Sequence, residues 1–427
     1  MGESRAGLEG SGGRVGNFRW VIVGLVFLAT TINYVDRMVM GILAPTLQRE
    51  IQWSEHEYGY IVTAFTTAYA IGLVSMGRLT DVVGTKIGYA IALVGWSLAA
   101  MAHALARSPF GFAAARFGLG LFEAGNFPSA VKTVAEWFPK KERALATGLF
   151  NAGTNVGAIL APLIVPWLTL RWGWQEAFLV TGGLGFLWLF LWFGLYDRPE
   201  RHRLLTRQEF EYIRSDPPDP EAKIPWRTLI LHRETWAFAT GKFLTDAAWW
   251  FYLFWIPKFL NERYGIGLTH VGLPLIVIYL SADLGSIGGG WLSSFFIRRG
   301  WSIDRSRKLA MLICALCVTP VTLASQAGSA WLAVGLFSLA TASHQGWSAN
   351  LFTLVTDMFP RKAVGSVVGL GGMAGAISGM LIASFTGWVL ELTGSYVMPL
   401  LFAGVAYLLS LLIINLLVPE VRQVEFD

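Results

Sequence analysis

The chain has too little charge for a soluble protein. Only 14% of its 427 residues are Asp, Glu, Lys or Arg, where soluble globular domains carry about 25%. Cysteine is scarcer still. The two present, Cys314 and Cys317, share an apolar run with no His or carboxylate beside them. That excludes a disulfide framework, and it makes the CxxC spacing a pair of small core residues rather than a redox or metal motif. No His/Cys/Asp cluster has ligand spacing, and no Gly-rich loop suits a phosphate. An enzyme at a membrane surface would need one of these, so neither catalytic chemistry, nor a metal, nor a cofactor is expected. The N-terminal segment also lacks the apolar core and cleavage site of a signal peptide, so the first apolar run is expected to be retained.

What the chain has instead is apolar length. It is 54% hydrophobic, with a mean hydropathy of +0.51. Runs of about 20 apolar residues, enough to cross a bilayer as a helix, recur twelve times: roughly 19–44, 56–80, 84–106, 109–136, 144–168, 174–196, 236–261, 269–297, 307–327, 329–356, 364–391 and 396–418. The fold class is therefore an all-α membrane protein with twelve transmembrane helices. The net charge of +5 is not a nucleic-acid signature, because its distribution follows the membrane. Only Arg49, Arg107, Arg171, Lys258 and Arg263 fall in the loops of one side, while most of the 33 Lys and Arg fall on the other. That bias places both termini in the cytoplasm.

The runs fall into two sets of six. Residues 197–235 are polar, basic and Pro-containing, and they separate a bundle at 19–196 from one at 236–418. Residues 1–18 are expected to be a disordered cytoplasmic N-terminus and 419–427 a cytoplasmic tail. Within the linker, residues 206–214 suit a short amphipathic helix, with Thr206 as N-cap and Glu209 completing a capping box. The halves repeat. Trp137-Phe138-Pro139-Lys140-Lys141, then Gly148, Ala152-Gly153 and Gly157, corresponds to Met358-Phe359-Pro360-Arg361-Lys362, then Gly369, Ala374-Gly375 and Gly379. Pseudo-symmetric halves with polar sites near the bilayer midplane are the architecture of many secondary transporters. Glycines four apart, as at Gly371, Gly375 and Gly379, would let helices approach closely.

Ionisable residues inside the runs carry the functional signal. A charge at the bilayer centre costs about 2.5–3.5 kcal/mol on insertion scales, so it is kept where it faces a cavity and finds a partner. Asp36 and Arg37 lie in the first run, Arg116 and Glu123 in the fourth, Lys242 and Asp246 in the seventh, Asp283 in the eighth and His344 in the tenth. Arg116 and Glu123 are seven apart and share one helix face. Asp36 and Arg116 fall at similar depth, so an Asp36–Arg116 pair forms if the first and fourth helices are neighbours. Such a pair either orients Arg116 toward a carboxylate substrate, for which its fork is suited, or is only structural. Glu123 has no cation one turn away. It reads as a proton carrier, with Asp36 as the second candidate, or as a neutral packing residue. Lys242 and Asp246 are one turn apart and can neutralise each other. Tyr34, Tyr69, Trp249, Trp250 and Tyr252 offer faces on which a sugar could stack, and His344 is either a satisfied core residue or a contact. Lys132 and Glu136 form an (i, i+4) pair at one helix end.

The stretch at residues 77–86, GRLTDVVGTK, resembles the loop signature of the major facilitator superfamily, although its second copy at residues 290–294 has Ser294 in place of the acid. NYVDR, ARFGLGLFEAGNFP and WFPKKERALATGLFNAGTNVGAILAP look like the anion:cation symporter family. DVVGTKIGYA, SADLGSIGGGW followed by RSRKLAM, and the His344-Gln345 pair look most like bacterial hexuronate transporters. The resemblance implies a proton-coupled importer of a small organic anion, working by alternating access in a bacterial inner membrane as a monomer, with protons as coupling ion. An aldonate such as galactonate is the alternative substrate, and an exporter of the same family would share fold and charges. The resemblance also implies that Arg116, Arg37, Lys242, Asp246, Asn155 and Thr154 line the central cavity. It implies that Asp81, Arg78 and Lys86 hold the second and eleventh helices together in one state.

The orientation is testable directly. Cysteines placed at position 210 in the linker and at position 52 should react with an impermeant thiol reagent from opposite sides of the membrane. Labelling of both from outside would overturn the topology.

Overall fold

The computed structural model describes residues 16–216, 225–266 and 272–425. The expected disordered N-terminus therefore falls almost wholly outside the described residues, as do parts of the linker and tail. Every regular element among the described residues is helical. Twelve segments are long enough to cross a membrane: α1 (Phe18–Ile51), α2 (Glu55–Val83), α3 (Thr85–Ala102), the broken pair α4 (Pro109–Glu123) and α5 (Asn126–Trp137), α6 (Lys140–Trp172) and α7 (Trp174–Leu195) in the first half, then, past the short linker helices α8 (Arg207–Ile213) and α9 (Trp226–Leu231), α10 (Arg233–Tyr264), α11 (Gly272–Arg298), α12 (Ile303–Val318), α13 (Ala330–Met358), α14 (Arg361–Thr393) and α15 (Val397–Leu417). Nine of these are apolar enough to span by composition alone. The other three, α4 with α5, α10 and α13, contain five of the eight ionisable residues found inside the runs: Arg116, Glu123, Lys242, Asp246 and His344.

The duplication seen in sequence is repeated in three dimensions. α6 and α14 are both 33 residues long and both begin after a proline, Pro139 or Pro360, whose fixed φ suits a helix entry. α4 and α13 both begin under a serine cap, Ser108 or Ser329. The fourth span departs from the continuous helix expected over 109–136. It breaks at Ala124-Gly125 because Pro128 has no N–H to offer the carbonyl of Ala124. α12 continues past Pro320 only as a 3-10 turn, Thr319–Gln326.

The start of α1, the linker and the C-terminal tail share one face of the molecule. Glu209 of α8 accepts from the backbone N–H groups of Phe18 and Arg19, at 3.1 and 3.0 Å, and from the Arg19 guanidinium. The tail reaches back through Val424 N–H to the carbonyl of Met358. This corrects the expected capping box. Thr206 does cap α8, but the Glu209 carboxylate leaves its own helix to satisfy orphan donors at the N-terminus of α1.

On this linker face the two halves are closed against each other. α2 packs on α14, and α6 on α11 and α13. Gly77 meets the Gly365 carbonyl, and Gly148 and Gly290 meet backbone of α11 and α6, so closely that a Cβ at any of the three would collide. Asp81 reaches from α2 to the Gly365 and Ser366 N–H groups at 3.1 and 2.6 Å and also accepts from Lys132 at 2.8 Å. Arg307 is wholly buried, donating to Asp357 at 2.9 Å and across the interface to the Lys140 carbonyl at 2.6 Å. Arg143 crosses to the Thr356 carbonyl and Arg361 to that of Ala135. Further bonds joining the halves, from Asn151 to Ser286 and from Asn155 to Asp283, lie toward the molecular middle.

Three expectations are corrected here. Lys86 does not bridge the halves, because it lies at the start of α3 and pairs with Asp197 of its own half at 3.3 Å. Arg78 makes no ion pair among the described residues, so of the three proposed gate residues only Asp81 spans α2 and α14. Lys132 and Glu136 do not pair with each other. Lys132 turns to Asp81, and Glu136 accepts from Thr85 and Tyr196, since contacts to other helices outweigh a weak (i, i+4) attraction of about 0.2–0.5 kcal/mol.

Candidate functional site

A cavity lies between the halves, beyond the closed linker face. Its walls are helical stripes, so residue spacing decides who reaches it. From α10 come Lys242, Asp246, Trp249 and Trp250, following the one-face pattern i, i+4, i+7, i+8. From α13 come His344, Gln345, Ser348 and Phe352. α6 supplies Asn151 and Thr154, α1 Tyr34 and Arg37, and α2 Tyr69. The lining thus mixes aromatic faces, amides and hydroxyls with two cations.

Each cation is held by a carboxylate. Arg37 donates its Nε to Glu123 at 2.9 Å, and its guanidinium lies over the rings of Tyr34 and Tyr69, 4.7 and 4.6 Å from their centroids. Glu123 is fully buried at the end of α4, where the Pro128 break turns the chain, and its Oε1 has no partner among the described residues. Lys242 pairs with Asp246 at 2.7 Å within α10 and sits 4.7 Å from the Phe352 ring centroid. The glycines of α14 make room for this wall. A Cβ at Gly371, Gly375 or Gly379 would strike Phe238, Asp246 or Trp250 respectively. The expected role of these glycines is therefore refined: they admit side chains of α10 rather than its backbone.

The expected Asp36–Arg116 pair is not formed. Asp36 is buried with both carboxylate oxygens unpartnered among the described residues, and it does not line the cavity. Arg116 donates through Nη2 to the backbone carbonyl of Arg37 at 3.0 Å and lies 4.7 Å from the Phe65 centroid, with Nε and Nη1 unpartnered. Arg116 does lie level with this part of α1, but the two side chains differ in rotation about their helices. Successive helix positions are about 100° apart, so Asp36 and Arg37 address different neighbours, and Arg37 is the one that meets Glu123. Arg116 is thereby behind the cavity wall, not on it.

Other expected residues separate in the same way. Asn155 and Asp283 bond each other across the halves at 2.7 Å and are off the cavity lining. Thr154 lines the cavity with a buried, unpartnered hydroxyl. Gln345 accepts from Asn151 at 2.6 Å. His344 bonds the Tyr407 hydroxyl at 2.7 Å and is stacked on Trp249, with centroids 4.7 Å apart and planes at 9°. Tyr252 turns into the core of the second half. Asn151, Ser348, Phe127 and Phe352 also line the cavity but carry no charge that would single them out in sequence. Asn151 had a signal, since it lies one turn before Asn155 on the face that carries Thr154.

A family model described as Major Facilitator Superfamily matches residues 26–383. The chain is 34% identical over 387 residues to the hexuronate transporter of Escherichia coli strain K12, covering 89% of this chain and 90% of that protein. It is 35% identical over 311 residues to the galacturonate transporter of Dickeya chrysanthemi, covering 71% and 90%. In fold it is similar to the solved structure of the proton:xylose symporter XylE, with a TM-score of 0.75 over 95% of this chain and 97% of that one, at 14% identity.

The pairing has a measurable consequence for stability. Glu123→Leu leaves the Arg37 guanidinium buried without its carboxylate and should cost about 3–5 kcal/mol. Arg116→Met breaks no ion pair and should cost far less. Thermal unfolding in detergent would read the order, and the reverse order would contradict the assignment of Glu123 as the counter-charge of Arg37.

Proposed function

The chain belongs to the major facilitator superfamily, and from that premise we propose that it is a proton-coupled symporter importing a hexuronate such as galacturonate or glucuronate. It is read as a transporter and not an enzyme, with the proton as coupling ion and no cofactor. The two units that rock about the site are residues 19–196 and 236–418, in a bacterial inner membrane. Both termini and the linker lie in the cytoplasm, so a closed linker face corresponds to an outward-facing state.

One observation carries the reading: the cavity arginine, Arg37, is already held by a buried carboxylate, Glu123, at 2.9 Å. A substrate carboxylate seeking the same guanidinium meets Glu123 beside it. Two carboxylates on one fork repel each other, so anion binding and proton uptake at Glu123 are linked, and the linkage is reciprocal. With Glu123 neutral, the guanidinium is free for a bidentate grip on the anion. The aromatic faces of Tyr34 and Tyr69, the hydroxyls of Thr154 and Ser348, and Asn151 with Gln345 suit a polyhydroxylated ring. Asp36 is the second acid available for proton traffic. Arg116 supports the site from behind by fixing the backbone of Arg37. Asn155 with Asp283, and Asp81 with the start of α14, are contacts that must open and reform as the halves rock.

In reconstituted vesicles, the wild type should accumulate galacturonate under an inward proton gradient. Glu123→Gln should lose that accumulation yet keep exchange of labelled for unlabelled galacturonate. Arg37→Ala should lose both, by at least about 100-fold, as removal of a buried charge partner implies. Unchanged gradient-driven uptake in Glu123→Gln would remove it from the coupling. A strong preference for galactonate would keep the anion site and move the substrate to an aldonate.

A further inference from the structure

The second ion pair of the cavity has no part in the coupling above, yet it lines the same space. Lys242 and Asp246 are 2.7 Å apart, with side chains only 9% and 15% exposed, and both face the cavity from the opposite half to Arg37. Asp246 is held in place by an absence, since only a glycine at 375 leaves room for its carboxylate. The two cations lining the substrate space are therefore each balanced by a carboxylate, Arg37 by Glu123 and Lys242 by Asp246.

We propose that Asp246 is the specificity-determining residue that limits the site to substrates with one carboxylate, and that it excludes six-carbon sugar diacids. The inference rests on the hexuronate reading. A hexuronate presents its carboxylate at one end and neutral hydroxyls at the other. With the carboxylate on Arg37, the far end reaches a wall that offers both an ammonium donor and a carboxylate acceptor, which is what adjacent hydroxyls need. A diacid presents a second carboxylate to that wall. There it meets a lysine already neutralised and an aspartate of its own sign, and such a like-charge contact is a device of discrimination. One proton at Glu123 accommodates one substrate charge, and the wall offers no unpaired cation for a second.

The test is competition for labelled galacturonate on the purified protein by unlabelled galacturonate and galactarate. In the wild type, galactarate should bind at least 30-fold more weakly than galacturonate. Asp246→Asn uncovers Lys242 and should narrow that ratio at least tenfold, and adding Lys242→Met should abolish the gain. Gly375→Ala, whose methyl group must push the Asp246 carboxylate aside, should narrow the ratio in the same direction and serves if Asp246→Asn does not fold. Equal wild-type affinity for the two ligands, an unchanged ratio in the folded variants, or a gain that survives Lys242→Met would each overturn the proposal while leaving the hexuronate reading intact. Failure of the wild type to bind galacturonate at all would instead remove the reading on which it rests.

Discussion

The bond between Arg37 and Glu123 is the interaction around which the site is arranged. A buried guanidinium is costly without a counter-charge, and that of Arg37 receives its carboxylate from a helix that breaks to deliver it. Pro128 ends the hydrogen-bond ladder at Ala124, and Glu123 is the last residue of the helix before the break. Tyr34 and Tyr69 flank the guanidinium and Arg116 fixes its backbone. In the function we propose, a single guanidinium that serves either a protein carboxylate or a substrate carboxylate is the physical core of coupling between an anion and a proton.

That site is useful only if its exposure alternates, and the linker face supplies the counterpart. There the halves meet through two kinds of contact. Glycine backbones at Gly77 and Gly148 lie against the opposite half so closely that no side chain could intervene. Around them lie the buried side chains of Asp81, Arg143, Arg307 and Asp357 and the half-buried Arg361, many of whose bonds end on backbone carbonyls or N–H groups. Such contacts are made or lost together, which favours two discrete arrangements over a continuum. Gly375 and Gly379 of α14 do different work at the cavity, where they give Asp246 and Trp250 their positions.

Much of this could be read from residues alone, and the failures share one cause. Span count, the two halves and their repeat follow from apolar length and from the matched prolines before α6 and α14. Depth along a helix is also legible, which is why Asp36 and Arg116 are expected at one level. Rotation about the helix axis is not legible, and it undoes the expected Asp36–Arg116 pair: Arg37 meets Glu123, and Asp36 and Arg116 make no ion pair among the described residues. The same limit explains Lys132 and Glu136, each drawn from a local pair to another helix, and Glu209, whose carboxylate caps α1 instead of its own helix. Local pairs are worth tenths of a kcal/mol, so any buried long-range partner displaces them. Lys242 and Asp246 kept their local pair.

The most direct measurement of the central claim is proton uptake on ligand binding. Galacturonate would be added to the purified protein in weakly buffered solution, and protons taken up counted per anion bound. If the substrate carboxylate replaces Glu123 on Arg37, the wild type should take up roughly one proton per anion near neutral pH, and Glu123→Gln should bind the anion with none. Binding without proton uptake in the wild type, or the same uptake in Glu123→Gln, would contradict the account.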